Sequence, residues 1–218
     1  MKQTACCEAG DRHIPTFLID NFLRRLVSPP KKKLSEFIST GVAAADVGCG
    51  PGHFTIPMAE LVGPEGKVYA ADSDPKSIEV LRAKLEGREL RQRTQAETTS
   101  AANLDFIPDG SIDFVFANDV LCCMADHAGA VAEIKRILKP QGQAYISITK
   151  PFRRMDPRAV TREEWKQILK SFNVRENGEG FTNRWAVVSL KNNSSTDHSV
   201  IPLDRTSGNS YSPNILNA

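Results

Sequence analysis

The sequence lacks an apolar run near the ~20 residues that a membrane-crossing helix needs. Its most apolar early stretch, Phe17-Leu18-Ile19, meets Asp20 and Asn21 at once, the wrong texture for a signal-peptide core. Cysteine is scarce: there are five, with Cys6-Cys7 and Cys122-Cys123 adjacent and no C-x-x-C spacing. Neighbouring cysteines rarely bridge to each other, so neither a disulfide framework nor a zinc site is supported. No metal is expected, and reduced thiols in a cytoplasm are the default. An excess of one charge is missing too. Lys+Arg is 28 against Asp+Glu at 26, a balance that asks for neither nucleic acid nor a membrane surface. No internal repeat is visible.

What the sequence has is ordinary globular composition, 40% hydrophobic and 25% charged, over 218 residues, room for one sizeable α/β domain. Phe17, Leu18, Phe22 and Leu26 recur at helical spacing from Pro15 to Leu26. Pro29-Pro30 breaks that helix, and Lys31 to Ser39 reads as a second, with Leu34, Phe37 and Ile38 inward. Arg24-Arg25 and Lys31-Lys32-Lys33 make this region basic, either a solvated helix end or a docking arm for an acidic partner.

Strands are then expected at Val42–Val47, Lys67–Asp72, Leu90–Thr94, Ile112–Ala117 and Ala144–Ile148. Helices lie between them. One runs from His53 to Val62; another has Asp74 as cap, Pro75 in first position and Gly87 at the exit. A third starts at Asp126 and ends at Pro140-Gln141-Gly142. Thr161 with Glu164 forms a capping-box signature, and Asn173–Glu179 and Asn183–Leu190 read as a strand pair. The alternation argues for an α/β fold with a mainly parallel sheet, helices on both faces and an antiparallel edge from the last pair. Residues 1–40 form an N-terminal helical segment, 41–191 the α/β domain and 192–218, rich in Asn, Ser, Pro and Gly, a disordered tail.

The stretch ADVGCGPGHFT, residues 45–55, carries three glycines behind the first strand. A P-loop would close on Gly-Lys-Ser/Thr, whereas this loop closes on Gly52-His53-Phe54 and has no lysine for a phosphate. A dinucleotide fingerprint requires a third glycine where His53 stands, and histidine denies the close helix–strand packing that glycine allows. The actual spacing, Gly48-x-Gly50-x-Gly52 preceded by Asp46, resembles the cofactor loop of class I S-adenosylmethionine-dependent methyltransferases. VYAADSDPKSI adds Asp72 at the end of the next strand, where two carboxylate oxygens match a vicinal diol. DGSIDFVFANDVLCCM and EIKRILKPQGQAYIS extend the likeness over about residues 13–150.

That resemblance implies a Rossmann-like fold with a seven-stranded sheet and S-adenosyl-L-methionine as methyl donor. Main chain at Gly48, Cys49, Gly50 and Gly52 would meet the methionine and sugar, with Asp46 at the amino-acid end. Asp72 and Ser73 would take the ribose, Gln95 and Ala96 the adenine, and Asn118 the side next to the fourth strand. Gln95 stands where the family often has an acid, with Glu97 two residues on. The acceptor side is expected at Asp119, Asp126 and His127, with His13 on an N-terminal segment that lids the pocket in relatives; His127, Asp119 and His13 are the candidate catalytic residues. In-line methyl transfer depends largely on positioning, so the acceptor stays open. The Asn/Asp-Pro-Pro-Tyr/Phe signature of amide and amine methylation is absent: the chain reads Asn118-Asp119-Val120-Leu121. A small-molecule or lipid-like acceptor leads, as in the menaquinone/ubiquinone-biosynthesis type. Nucleic acid or protein is less favoured. A thiophilic acceptor such as arsenite, held by Cys122 and Cys123 with Cys6 and Cys7, and a non-catalytic scaffold complete the alternatives.

Overall fold

The computed structural model describes residues 30–150 and 158–191. The expected helix at Pro15–Leu26, the basic pair Arg24-Arg25, His13, Cys6, Cys7 and the expected tail after Asn192 lie outside the described residues.

The described elements are α1 (Pro30–Leu34), β1 (Ala43–Val47), α2 (Thr55–Leu61), β2 (Lys67–Asp72), α3 (Pro75–Leu85), the single turn α4 (Leu90–Arg93) and β3 (Thr94–Thr98). After them come β4 (Ile112–Asn118), a 3-10 turn (Leu121–Cys123), α5 (His127–Ile137), β5 (Leu138–Thr149), α6 (Arg162–Lys170), β6 (Asn173–Glu179) and β7 (Asn183–Ser189). They form one seven-stranded sheet in the order β3-β2-β1-β4-β5-β7-β6. The first five strands are parallel; β7 runs antiparallel to both β5 and β6. This is a Rossmann-like α/β sheet. The chain winds outward from β1 through β2 to β3, then returns to lay β4 on the other side of β1. That reversal leaves a crevice beyond the carboxyl ends of β1 and β4, where ligands of open α/β sheets bind.

Both sheet faces are covered, which is why β1 and β4 are buried along nearly their whole length rather than at alternate positions. On one face Ala45, Val115 and Ile146 meet Val131 and Ile134 of α5 and Trp165 of α6. On the other, Ala44, Phe114 and Phe116 meet Leu34, Ile38 and Met58. Ile78, Leu81 and Leu85 of α3 pack on Ala70 and Ala96. Among the described residues no helix is long and apolar enough to cross a membrane.

Two expectations shift. Leu90–Thr94 is not a strand: Leu90–Arg93 makes a helical turn, closed by Thr94 Oγ1 donating to the Leu90 carbonyl at 2.8 Å. The strand starts where it was expected to end, because Thr94 to Thr98 pair with Val68 to Asp72. Likewise Pro140-Gln141-Gly142 does not separate helix from strand. Helix α5 stops at Ile137, and the three residues bulge within β5, between the pairings Ile112–Leu138 and Phe114–Gln143. Proline's missing N–H is tolerated at such a bulge.

Candidate functional site

The crevice is built from the ends of four strands. Beyond Val47 the chain turns through Gly48 (φ 74°), Gly50 (φ 51°) and Gly52 (φ 88°), all in the left-handed region. The N–H groups of Gly48 and Cys49 both donate to the Ala71 carbonyl, at 2.8 and 3.0 Å, which pins the loop to β2. Two of these glycines make room for protein. A β-carbon on Gly48 would collide with the Val120 side chain, and one on Gly52 would lie 2.5 Å from Leu81 Cδ1 of α3. Gly48 therefore lets the main chain close against the residue following β4, and Gly52 seats the loop on α3.

Asp72 locks this loop from the β2 side. One carboxylate oxygen accepts from the Gly50 N–H at 2.7 Å and the other from the Asp74 N–H at 2.9 Å. Asp74 in turn caps α3 by accepting from the N–H groups of Lys76 and Ser77. Asp46, 2% exposed, accepts from the Thr55 hydroxyl at 2.6 Å. Burial pushes its carboxyl up to about 7, with the Thr55 hydrogen bond opposing and the nearby Asp72 charge adding to the rise. The buried Cys49 thiol is pushed well up by burial and then by the Asp46 and Asp72 carboxylates, so it is a neutral wall residue rather than a nucleophile.

Together these residues enclose a cavity of about 250 Å³. Asp46, Gly48, Cys49 and Gly50 form its floor; Asp72, Ser73 and Asp74 form one side; Asn118, Asp119 and Thr149 form the other. Four carboxylates and no lysine or arginine stand among the described lining residues.

The structure separates some expected site residues from this cavity. Gln95 and Ala96 lie on the β3 edge, lining a shallow depression with Lys67 and Arg82, and Arg82 donates to the Ala96 carbonyl. The register is the reason: Asp72 pairs with Thr98, so the part of β3 that reaches the crevice is its end, and Thr99 and Ala101 take the lining positions expected of Gln95 and Ala96. His127 is also elsewhere. Its ring is buried at the start of α5, Nδ1 pairs with Glu164 Oε1 at 2.6 Å, and it joins α5 to α6. Glu164 accordingly makes half a capping box: its N–H donates to the Thr161 hydroxyl oxygen, while its carboxylate pairs with His127. Asp126 caps α5 through the Gly129 N–H.

Sequence reasoning did not single out Thr99, Ala101, Met124 or Thr149, all of which line the cavity. Nor did it single out Arg136, which braces the loop carrying the first two. Its guanidinium donates to the carbonyls of Leu104 and Ile107, each at 2.9 Å, and to the Glu133 carboxylate at 2.8 Å; Glu133 itself accepts from the Leu104 N–H. Of the cysteine pair, Cys123 lines the cavity, while the half-buried Cys122 donates to the Asp119 carbonyl at 3.3 Å. Hydrogen bonding with Cys123, then burial, holds the Cys122 thiol far above the ordinary thiol range.

Comparison with known proteins agrees with this architecture. Residues 45–146 match the methyltransferase-domain family model. A demethylmenaquinone methyltransferase of Lactobacillus johnsonii is 30% identical over 141 residues, covering 65% of this chain and 55% of the relative. One from Geobacillus stearothermophilus is 36% identical over 105 residues, covering 48% of this chain and 44% of the relative. This chain thus spans about half the length of these relatives. Among solved structures, a SAM-dependent methyltransferase from Aquifex aeolicus superposes with a TM-score of 0.70 at 23% identity, over 83% of this chain and 100% of that one. An arsenic(III) S-adenosylmethionine methyltransferase from Chlamydomonas reinhardtii reaches 0.58 at 18% identity, over 75% of this chain and 74% of that one, a likeness of fold alone. The match makes residues 45–146 a methyltransferase domain, and the order of the sheet and the glycine loop that follows Asp46 are in keeping with it.

Proposed function

We propose that this chain binds S-adenosylmethionine in the crevice and directs its methyl group to a small-molecule acceptor. The observation that carries the reading is the placement of Asp46, near the end of β1, and Asp72, at the end of the adjacent β2, on the same cavity that the main chain of the glycine loop lines. The donor set fits the group. Asp72 presents two carboxylate oxygens at the end of β2, matched in number and spacing to a vicinal diol, and backbone N–H groups of Gly50 and Asp74 hold them in place. Asp46 offers a buried carboxyl to an ammonium. Main chain at Gly48, Cys49 and Gly50 lines the cavity between the two acids' strands and the β4 end.

When bound, S-adenosylmethionine supplies an electrophilic methyl on a sulfonium. The protein's part is alignment: Asp46 and Asp72 fix the two ends, while Asn118, Asp119 and Thr149 form the opposite wall. Effective alignment is worth roughly 7–11 kcal/mol of barrier, whereas a general base typically adds about 10² to 10⁴ in rate, so alignment is the larger contribution.

The relatives named demethylmenaquinone methyltransferases favour a quinone-type acceptor, and Val120, Cys123 and Met124 give the cavity an apolar flank suited to one. A polyanionic acceptor is less favoured. The lining carries four carboxylates, Lys31 is paired with Glu60, and Lys33 donates to the Tyr145 hydroxyl and lies 4.4 Å from its ring centroid. The raised thiol of Cys122 gives no support to thiolate capture of arsenite.

Calorimetric titration of purified protein with S-adenosylmethionine and S-adenosylhomocysteine, beside Asp72→Ala, tests the reading. Micromolar binding that the variant loses is expected. A wild-type protein that binds neither would leave a methyltransferase fold serving as a scaffold.

A further inference from the structure

Asp119 is the only non-glycine residue with a left-handed backbone among the described residues, at φ 58°. L side chains rarely adopt this region, and a residue held there at a strand end beside a cavity calls for an explanation in function. The neighbours that hold it are plain. Its N–H donates to both the carbonyl and the hydroxyl of Ser147, each at 3.1 Å, which turns the chain sharply out of β4. Its carboxylate is fixed from two sides: Thr149 Oγ1 donates to Oδ1 and Asn118 Nδ2 to Oδ2, both at 3.1 Å, with Ser147 Oγ 3.5 Å from Oδ1.

The result is an oriented, half-buried carboxylate on the cavity wall, with no lysine or arginine among the described lining residues to neutralise it. Its place matters as much as its charge. Val120, the next residue, packs against Gly48, so Asp119 stands beside the glycine loop, on the wall of the cavity it shares with Asp46 and Asp72. A molecule that reaches from Asp46 to Asp72 with its amino-acid end and its ribose presents its middle to that wall. In S-adenosylmethionine the middle is the sulfonium. In S-adenosylhomocysteine it is an uncharged thioether of nearly the same shape.

We propose that Asp119 reads the charge at the centre of the donor, raising affinity for the sulfonium relative to the thioether product. The proposal rests on the donor reading given above. Methyl transfer removes the positive charge that Asp119 holds, so the same carboxylate that favours donor entry weakens retention of the product. A neutral hydrogen-bonding residue in this position would discriminate less, because an ion–dipole attraction to the sulfonium is weaker than that of a full carboxylate charge.

The test is a set of calorimetric affinities for S-adenosylmethionine, S-adenosylhomocysteine and sinefungin, whose amine places a positive charge where the methyl stands. Wild type is compared with Asp119→Asn, which keeps shape, and Asp119→Gly, which suits the positive φ and keeps the turn if the asparagine variant folds poorly. Each variant is expected to lower the affinity ratios of S-adenosylmethionine and sinefungin to S-adenosylhomocysteine by about tenfold. Ratios that stay at the wild-type value overturn the proposal, as does an equal loss for all three ligands, which would make Asp119 a structural residue. A wild-type protein that binds none of the three removes the donor reading itself, an outcome distinct from both.

Discussion

Asp46 is the residue whose chemistry is most altered by where it sits. Its carboxyl is raised from 3.8 to about 7, mainly by burial, so the folded protein holds a proton there that the unfolded chain has released. The sign follows from proton counting. Between those two values the native state binds more protons, and stability falls as pH rises through the window. A cationic ligand group beside Asp46 reverses the preference, because it favours the ionised form. Donor affinity is therefore expected to rise with pH through about 7 and to level off above it, with proton release on binding below that point. Calorimetry in two buffers of different ionisation enthalpy measures that release directly. Asp46→Asn should abolish both the release and the pH dependence. A pH-independent affinity in the wild type would mean that binding leaves the protonation of Asp46 unchanged.

At the scale of elements, the loop between β3 and β4 is braced from α5 by Arg136 together with Glu133. Arg136 reaches the Leu104 and Ile107 carbonyls and the Glu133 and Asp109 carboxylates at once, a geometry that only a planar guanidinium serves. Arg136→Lys keeps the charge but cannot make all of these bonds. It is expected to cost about 1–3 kcal/mol of stability in denaturant unfolding, and to weaken donor binding several-fold because Thr99 and Ala101 ride on that loop. Unchanged unfolding would show that the carbonyls find other donors.

The same loop marks where sequence stops being enough. Elements with local punctuation were legible. Asp74-Pro75 starts α3 and Asp126 starts α5, because a cap is made by residues two or three apart. Lys67–Asp72 was legible from its own composition, and with it the positions of Asp46 and Asp72 on adjacent strands. What depends on a distant partner was not. Thr94 to Thr98 is polar and becomes a strand through pairing with β2; reading the strand a few residues early put Gln95 and Ala96 where the structure has Thr99 and Ala101 lining the cavity. His127 has the composition of an acid–base residue, but its partner Glu164 comes from a helix 37 residues away in sequence.

For the molecule as a whole, the cavity draws on β1, β2, β4 and β5 through Asp46, Asp72, Asp119 and Thr149, whereas β6 lies at the far edge and is mostly exposed. A ligand that touches four neighbouring strands of one sheet stabilises them together. At a concentration a hundred times its Kd, the donor should add about 2.7 kcal/mol by mass action and raise the temperature of a single unfolding transition. Local opening is a separate matter, since exposed edge segments exchange their amide hydrogens through fluctuations that leave the rest of the sheet intact. Hydrogen exchange with and without S-adenosylhomocysteine is therefore expected to slow at Gly48, Gly50 and Asp119, whose N–H groups hold the crevice walls, and to remain unchanged along β6. The donated bonds at these three positions end on Ala71, Asp72 and Ser147, so their protection reports whether β1, β2, β4 and β5 close on the ligand as one body. Protection confined to the glycine loop, with Asp119 exchanging as before, would place the ligand on the β1–β2 side alone and detach the β4–β5 wall from binding.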